Sequence, residues 1–243
     1  MQTIRGGLSV VVPAFNEADR LPSTLPRFAA FCEGRSDIEL LIVNDGSQDA
    51  TGSVLDDFVR KHSYARVIHN ATNRGKGYAL REGIMKATRE WILMTDADLS
   101  TPLAEVENLI AAADRAGAPI AIGSRAVDRR TVGVHQAAAR EWSGRFFNFV
   151  MRMITGLPLK DTQCGFKLYR RDAAATVFSR QTLDGFGADV ENLVTARVHG
   201  VKVMEVPVRW DHVDGTRVSV LSGGRAFLDL FRIRINEVTG RYR

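Results

Sequence analysis

Two carboxylates close an apolar run, where Thr95-Asp96-Ala97-Asp98 follows Trp91-Ile92-Leu93-Met94. Placed two residues apart where a strand passes into a loop, Asp96 and Asp98 can share a divalent cation with phosphate oxygens, because hard Mg²⁺ or Mn²⁺ favours oxygen ligands. Alone, the pair can equally end a strand and prepare the helix expected at Pro102. A second acidic stretch, Asn44-Asp45-Gly46-Ser47-Gln48-Asp49, closes another apolar run. Asp45 there can accept hydrogen bonds from a nucleobase or ribose, and Gly46 lets the backbone come close to a ligand. Asp49 suits an Asx-turn and helix cap, a reading that also covers part of Asp45 and Gly46.

Asn73-Arg74-Gly75-Lys76-Gly77 sets two glycines and two cations ahead of a helix, in the manner of a phosphate-cradling turn. It lacks the GxxxxGK[ST] order of a Walker A loop. The first strand runs into Pro13-Ala14-Phe15-Asn16-Glu17 instead of GxGxxG, which disfavours a nicotinamide cofactor. The chemistry these segments suggest is nucleotide binding of neither the NTPase nor the dehydrogenase kind.

The elements that must position them alternate. Continuous apolar runs at 8–12, 39–43 and 91–95, with shorter ones at 66–69 and 119–122, are separated by helix-length segments over 25–33, 50–61, 77–88 and 103–116. Strands covered on both faces need such runs. The reading is an α/β chain with a mostly parallel central sheet and helices on both faces, its ligands at the carboxyl ends of the strands. The second half is less regular, with helices expected over 136–155, 189–199 and 221–238 and strands over 167–169 and 201–208. No linker or repeat divides the 243 residues, so one domain is expected.

Composition excludes several classes. Hydrophobic residues at 45% and charged residues at 25% are ordinary globular values, which removes disorder and collagen-like chains. Cys32 and Cys164 lack a CxxC partner, and Cys164 reads as a packed thiol. None of the five histidines has metal-site spacing, and no window is apolar enough for a transmembrane helix. The net charge of +5 is local: over 216–243 six arginines face only Asp229 and Glu237. Leu221, Phe227, Leu228, Leu230, Phe231, Ile233 and Ile235 alternate there with Arg225, Arg232, Arg234, Arg241 and Arg243. Such a helix can lie in an anionic headgroup layer or pack on a core with a solvated basic face. Nucleic acid is not expected as a partner, since strand-end carboxylates would repel backbone phosphates.

Six segments carry a family resemblance: VVPAFNE (11–17), VNDGS (43–47), NRGKG (73–77), TDADLS (95–100), GSR (123–125) and QCGFKLYRR (163–171). The chain resembles family 2 glycosyltransferases of GT-A fold, among them the polyprenyl- and dolichyl-phosphate sugar synthases, with the glucosyl subgroup nearest. The resemblance implies a catalytic unit over 1–243, with a nucleotide-binding half (1–125), an acceptor-side half (126–220) and a basic amphipathic helix (221–243). It implies that Pro13, Ala14, Glu17 and Asp45 line the nucleobase and ribose pocket, with Lys76 near the base. Asp96, Ala97 and Asp98 would meet pyrophosphate and Mg²⁺ or Mn²⁺. Arg125 and Arg217 would meet the acceptor or sugar phosphate, Gln163 would face the reaction centre, and Asp189 and Glu191 would lie near the sugar.

The implied reaction is inverting transfer of a hexose, glucose from UDP-glucose, to a polyprenyl phosphate; GDP-mannose as donor and a soluble acceptor are the alternatives. A phosphate acceptor is already ionised near neutral pH, so Asp161 and Asp189 read as positioning groups rather than obligatory bases. The expected setting is cytoplasmic and peripheral, on the inner face of an anionic membrane, with a second copy or a membrane protein as further partner.

Overall fold

In a computed structural model, residues 3–127, 132–134, 148–211 and 220–243 are described, the last segment with side chains from residue 227 onward. The chain begins β1 (Leu8–Ala14), α1 (Leu21–Cys32), β2 (Ile38–Asp45), α2 (Thr51–Lys61), β3 (Ala65–Asn70) and α3 (Lys76–Met85). It continues through β4 (Trp91–Met94), a single 3₁₀ turn (Leu103–Glu105), α4 (Val106–Ala116) and β5 (Ile120–Ser124). Beyond these come β6 (Val132–Val134), a helical run over 148–155 (α5), β7 (Lys167–Arg170) and α6 (Arg171–Phe178). The rest is α7 (Ala188–Val198), β8 (Val203–Pro207), β9 (Trp210–Asp211) and α8 (Val220–Val238).

Seven strands form one sheet in the order β3-β2-β1-β4-β7-β5-β8. All neighbours run parallel except β7, which is antiparallel to both β4 and β5. The pleat sends alternate side chains to opposite faces. Val10 and Val12 of β1 therefore join Leu40, Ile42 and Leu93 beneath α1, α2 and α4, whereas Val11 joins Leu41, Ile92 and Met94 beneath α3, α6, α7 and α8. The two apolar layers account for the continuous runs, which a sheet wet on one face would have replaced with alternation.

Helix stripes follow from spacing. Leu21, Leu25, Phe28 and Cys32 of α1 lie one turn apart and are buried, as are Leu55 and Phe58 of α2. Asp49 accepts the Thr51 N–H at 3.0 Å, the capping role its position suggests.

Several elements differ from expectation. Pro102 precedes the 3₁₀ turn and takes an extended ψ of 136°, so it is not the first helical residue. Helix α6 carries Ala173, Ala174, Val177 and Phe178 inward over a segment where no helix was anticipated; three alanines and a β-branched valine give a weak periodic signal. The small β6–β9 ladder was also unforeseen. Of the helix expected over 136–155, only 148–155 lies within the described residues; Trp142, Phe146 and Phe147 lie outside them, as does Arg217. Among the described residues, no helix is long and apolar enough to cross a membrane.

Candidate active site

Strands β1, β2, β4 and β5 deliver their carboxyl ends to one edge of the sheet. Because β7 runs the other way, its first residue arrives at that same edge: Lys167 pairs in register with Met94 of β4 and with Ile122 of β5. Asp96 and Asp98 leave β4 beside it, Arg125 leaves β5, and the 161–166 segment leads into β7.

Lys76, first residue of α3, places Nζ 2.6 Å from Asp96 Oδ1. Burial raises the Asp96 carboxyl, but Lys76 outweighs this, aided by Lys167 and Arg125, and holds it below the usual carboxylate range. Lys76 is correspondingly raised: burial disfavours its charge, and Asp96, Asp189 and Asp98 more than restore it. The Asp96 carboxylate rests on Gly165, where no side chain would fit. Asp98 accepts the Ser100 N–H at 2.9 Å through one oxygen, and the intervening Ala97 is buried.

Asp45 is 2% exposed and serves its own chain. Its Oδ1 accepts from Asn70 Nδ2 at 2.8 Å, and its Oδ2 from the backbone N–H of Arg74 and Gly75 at 3.0 and 2.7 Å. The anion cradled by the NRGKG turn is thus the Asp45 carboxylate. Its glycines answer to packing: Gly75 adopts φ +114° against the Asp184 carbonyl, and a Cβ on Gly77 would lie 2.5 Å from that of Ala188. Gly46, at φ +67°, likewise admits the Thr72–Asn73 backbone.

After β1, Pro13 is partly buried and Ala14 buried. Glu17 pairs with Arg20 at 2.6 Å and donates its N–H to the Thr51 hydroxyl oxygen at 2.7 Å. Asn16, in the left-handed region at φ 52°, donates its N–H to Ser47 Oγ at 2.9 Å and accepts that of Gln48 at 2.8 Å. The loops after β1 and β2 are therefore stitched together.

On the β5 side, Arg125 makes a bidentate pair with Asp161, Nε to Oδ2 at 2.7 Å and Nη2 to Oδ1 at 2.8 Å, and its own N–H adds a third bond. Burial raises Asp161, and the guanidinium overrides that and lowers it. Trp210 lies under the guanidinium, 5.6 Å from ring centroid to Cζ. Gln163 is exposed between buried Thr162 and Cys164; burial pushes the Cys164 thiol up to about 11, which leaves it inert as a nucleophile.

Asp189 is ion-paired with Lys167, a lysine with no exposed surface. Glu191 points elsewhere, accepting from the Thr182 N–H and hydroxyl, the Leu183 N–H and the Tyr242 hydroxyl. The structure thus gathers Lys76, Asp96, Asp98, Arg125, Asp161, Lys167 and Asp189 into one electrostatic cluster and sets Asp45 and Glu191 behind it. Lys167 was not singled out as a site residue by the sequence reading, although it lies within QCGFKLYRR; its local signal was a lone cation between Phe166 and Leu168 in a short strand. Asn70, Asp184, Gln181 and Tyr242 gave no signal of comparable strength.

The two β4-end carboxylates suit a cation shared with a diphosphate. Among the described residues no group of three His, Cys, Asp or Glu gathers to hold an ion unaided. A hard divalent ion that keeps one or two carboxylates and takes its remaining ligands from substrate phosphates fits such a set. Carboxylates and cations at the carboxyl edge of an α/β sheet, with no Walker or dinucleotide loop, are the arrangement that the resemblance to nucleotide-sugar glycosyltransferases of GT-A fold implies.

Comparison with known proteins agrees. Residues 9–178 match the model of glycosyl transferase family 2. A dolichyl-phosphate beta-glucosyltransferase of Drosophila melanogaster is 36% identical over 97% of this chain and 77% of its own length. The Homo sapiens protein of the same name is 35% identical with the same coverage. The chain belongs to glycosyl transferase family 2. Among solved structures, glucosyl-3-phosphoglycerate synthase from Mycobacterium tuberculosis, in complex with Mn²⁺, UDP-glucose and phosphoglyceric acid, superposes with a TM-score of 0.64 at 18% identity, covering 94% of this chain and 79% of that one.

Proposed function

We propose that this chain transfers glucose from UDP-glucose, with inversion at the anomeric carbon, to a polyprenyl phosphate of dolichyl type. An acceptor phosphate oxygen forms the bond to C1 as the bond from C1 to the UDP oxygen breaks. The observation that carries this reading is the state of the carboxylates around the β4 end. Asp161 is bound to Arg125, Asp189 to Lys167 and Asp96 to Lys76. A hydroxyl acceptor needs a base, and these three are paired while Asp98 is assigned to the metal; a phosphate acceptor, ionised already, needs none. The names of the relatives at 35–36% identity supply the sugar and the lipid.

Asp96 and Asp98 would hold Mg²⁺ or Mn²⁺ with the donor, and the bound ion would neutralise the departing diphosphate. Lys76 orients Asp96 for that contact. Pro13, Ala14 and Glu17 border the base and ribose, with Asp45 holding the turn beside them. Arg125 and Arg217 take the acceptor phosphate, Gln163 lies next to the transferred carbon, and Asp189, locked by Lys167, positions the sugar. The donor is served by 1–125 and the acceptor by 126–220.

Helix α8 exposes Leu228, Phe231, Ile235 and Val238 along one stripe while burying Leu230 and Ile233. With Arg232, Arg234 and Arg241 beside it, this stripe suits contact with the cytoplasmic face of an anionic membrane, where a lipid acceptor resides. A soluble phosphate-bearing acceptor is the second reading, favoured by the phosphoglycerate bound in the M. tuberculosis structure. Incubating the chain with radiolabelled UDP-glucose or GDP-mannose, and with either a short polyprenyl phosphate or 3-phosphoglycerate, separates these readings. Label passing from UDP-glucose into the organic phase is the expected result, and label confined to phosphoglycerate or drawn from GDP-mannose would replace the assignment.

A further inference from the structure

Lys76 is held from behind by a segment that no motif marks. Residues 181–185 run against its turn: the Tyr78 N–H donates to the Asp184 carbonyl at 3.0 Å, and Gln181 Nε2 donates to the Gly77 carbonyl at 2.9 Å. Arg74 pairs with Asp184 at 3.1 Å, and Arg81 donates to the Gln181 carbonyl at 3.0 Å. The close contacts at Gly75 and Gly77 leave no slack between the two segments.

That segment is in turn fixed by Glu191, wholly buried on α7. One of its oxygens accepts the N–H groups of Thr182 and Leu183 at 3.0 and 2.9 Å. The other accepts the Thr182 hydroxyl at 2.6 Å and the Tyr242 hydroxyl at 2.9 Å. Tyr242 has no exposed surface, and Asn236 donates to its hydroxyl at 3.2 Å. A buried carboxylate is tolerated when donors satisfy it, and removing it strands several of them. The bonds run without a break from Tyr242 through Glu191, Thr182 and Gln181 to Gly77, and so to the backbone that carries Lys76.

We infer that Glu191, supported by Tyr242, is a positioning residue for Lys76: it sets the height of the 181–185 segment, and thereby where the Lys76 ammonium meets Asp96 and the donor diphosphate. Its place in the reaction is through the donor site, not beside the sugar. This rests on the reading of Lys76 and Asp96 as donor groups.

The test is a double-mutant cycle on the full chain, following donor and acceptor KM by initial rates and UDP binding by titration calorimetry. Glu191→Ala is expected to raise the UDP-glucose KM at least tenfold and weaken UDP to match, with the acceptor KM within twofold. Glu191→Gln, whose amide oxygen still accepts from Thr182 and Leu183, should recover most of that loss. In a Lys76→Met background Glu191→Ala should change the donor KM less than twofold, because its route is already cut. Tyr242→Phe, which keeps the ring and removes one donor, carries the same cycle with an effect of about threefold if Glu191→Ala does not fold. Additive losses, or equal rises for both substrates, overturn the inference and leave Glu191 a structural group. An unchanged donor KM in Lys76→Met alone would overturn the donor reading of Lys76, and the inference with it.

Discussion

Of the three cations that act on the β4-end carboxylates, Lys76 and Arg125 are anchored in different ways. Lys76 stands on a turn whose backbone N–H groups are bound by Asp45 from β2 and whose far side packs on 181–185. Arg125 is held by a side-chain pair with Asp161, which the 160–161 backbone ties to Glu205 of β8. Two distant segments thus fix the proposed donor side through backbone and packing. The proposed acceptor side, at Arg125, depends on one carboxylate, whose two oxygens occupy Nε and Nη2 and leave Nη1 with no hydrogen-bond partner among the described residues. A guanidinium already seated on one anion is oriented to receive a second.

Both cations converge on the pair between them, so the largest effect is expected there. Asp98→Asn should lower kcat/KM about 100-fold, about 2.7 kcal/mol of transition-state stabilisation, and chelation should abolish turnover. Full activity of the variant in chelator would dissolve the centre that the two sides share.

Crossed substitutions sharpen the contrast. Asp45→Asn sets an amide against N–H donors and should raise the donor KM about tenfold, about 1.4 kcal/mol, with the acceptor KM nearly unchanged. Asp161→Asn should do the reverse. Parallel effects on both substrates in steady-state kinetics would show that the two anchors are not independent.

A smaller effect tests packing alone. Gly77→Ala brings a methyl group against Ala188 and should cost about 1 kcal/mol of stability in thermal unfolding. Gly185→Ala, with nothing within 4 Å of the added carbon, should stay within about 0.5 kcal/mol. Equal melting temperatures would mean that the turn is looser than its contacts indicate.

The smallest effect is on the acid side. Asp161 has a folded-state carboxyl below its unfolded value, so the unfolded chain takes up its proton first as pH falls. The stabilisation is full above the unfolded value near pH 4 and is lost as pH drops through the lower folded one. Asp161→Asn should flatten that part of the stability curve, measured by denaturant unfolding at stepped pH.

The contrast also explains what could be read from the chain beforehand. Strand-end carboxylates are legible because an apolar run announces the strand and the acid sits where it stops, which located Asp45, Asp96 and Asp98. Family motifs marked Arg125 and Gln163; the structure brings Arg125 to the cluster and leaves Gln163 exposed. The function of Asp45 within the fold was not legible, since spacing says nothing of whether an oxygen faces a ligand or the chain's own N–H groups; nor was the place of Glu191, whose partners lie 8, 9 and 51 residues away. Lys167 was hidden for a related reason: a buried lysine is costly without its partner, and Asp189 lies 22 residues downstream on another element. Long-range polar pairing leaves no local period.

The reversed strand β7 has a consequence for the order in which the chain takes shape. By residue 125 a nascent chain has made β1 to β5, but β5 bonds only to β7 and β8, so it has no neighbour yet and β4 has an open edge. Closing these contacts joins residues more than 40 positions apart, and such non-local pairings form slowly. An open apolar edge during that interval is a site for pairing with other chains. The strand that shuts it is the one that brings Lys167 and the Asp161 segment to Asp96 and Arg125, so the seam that fills the middle of the sheet is also the one on which this cluster is assembled, and the onset of activity in a refolding experiment should not precede its closure.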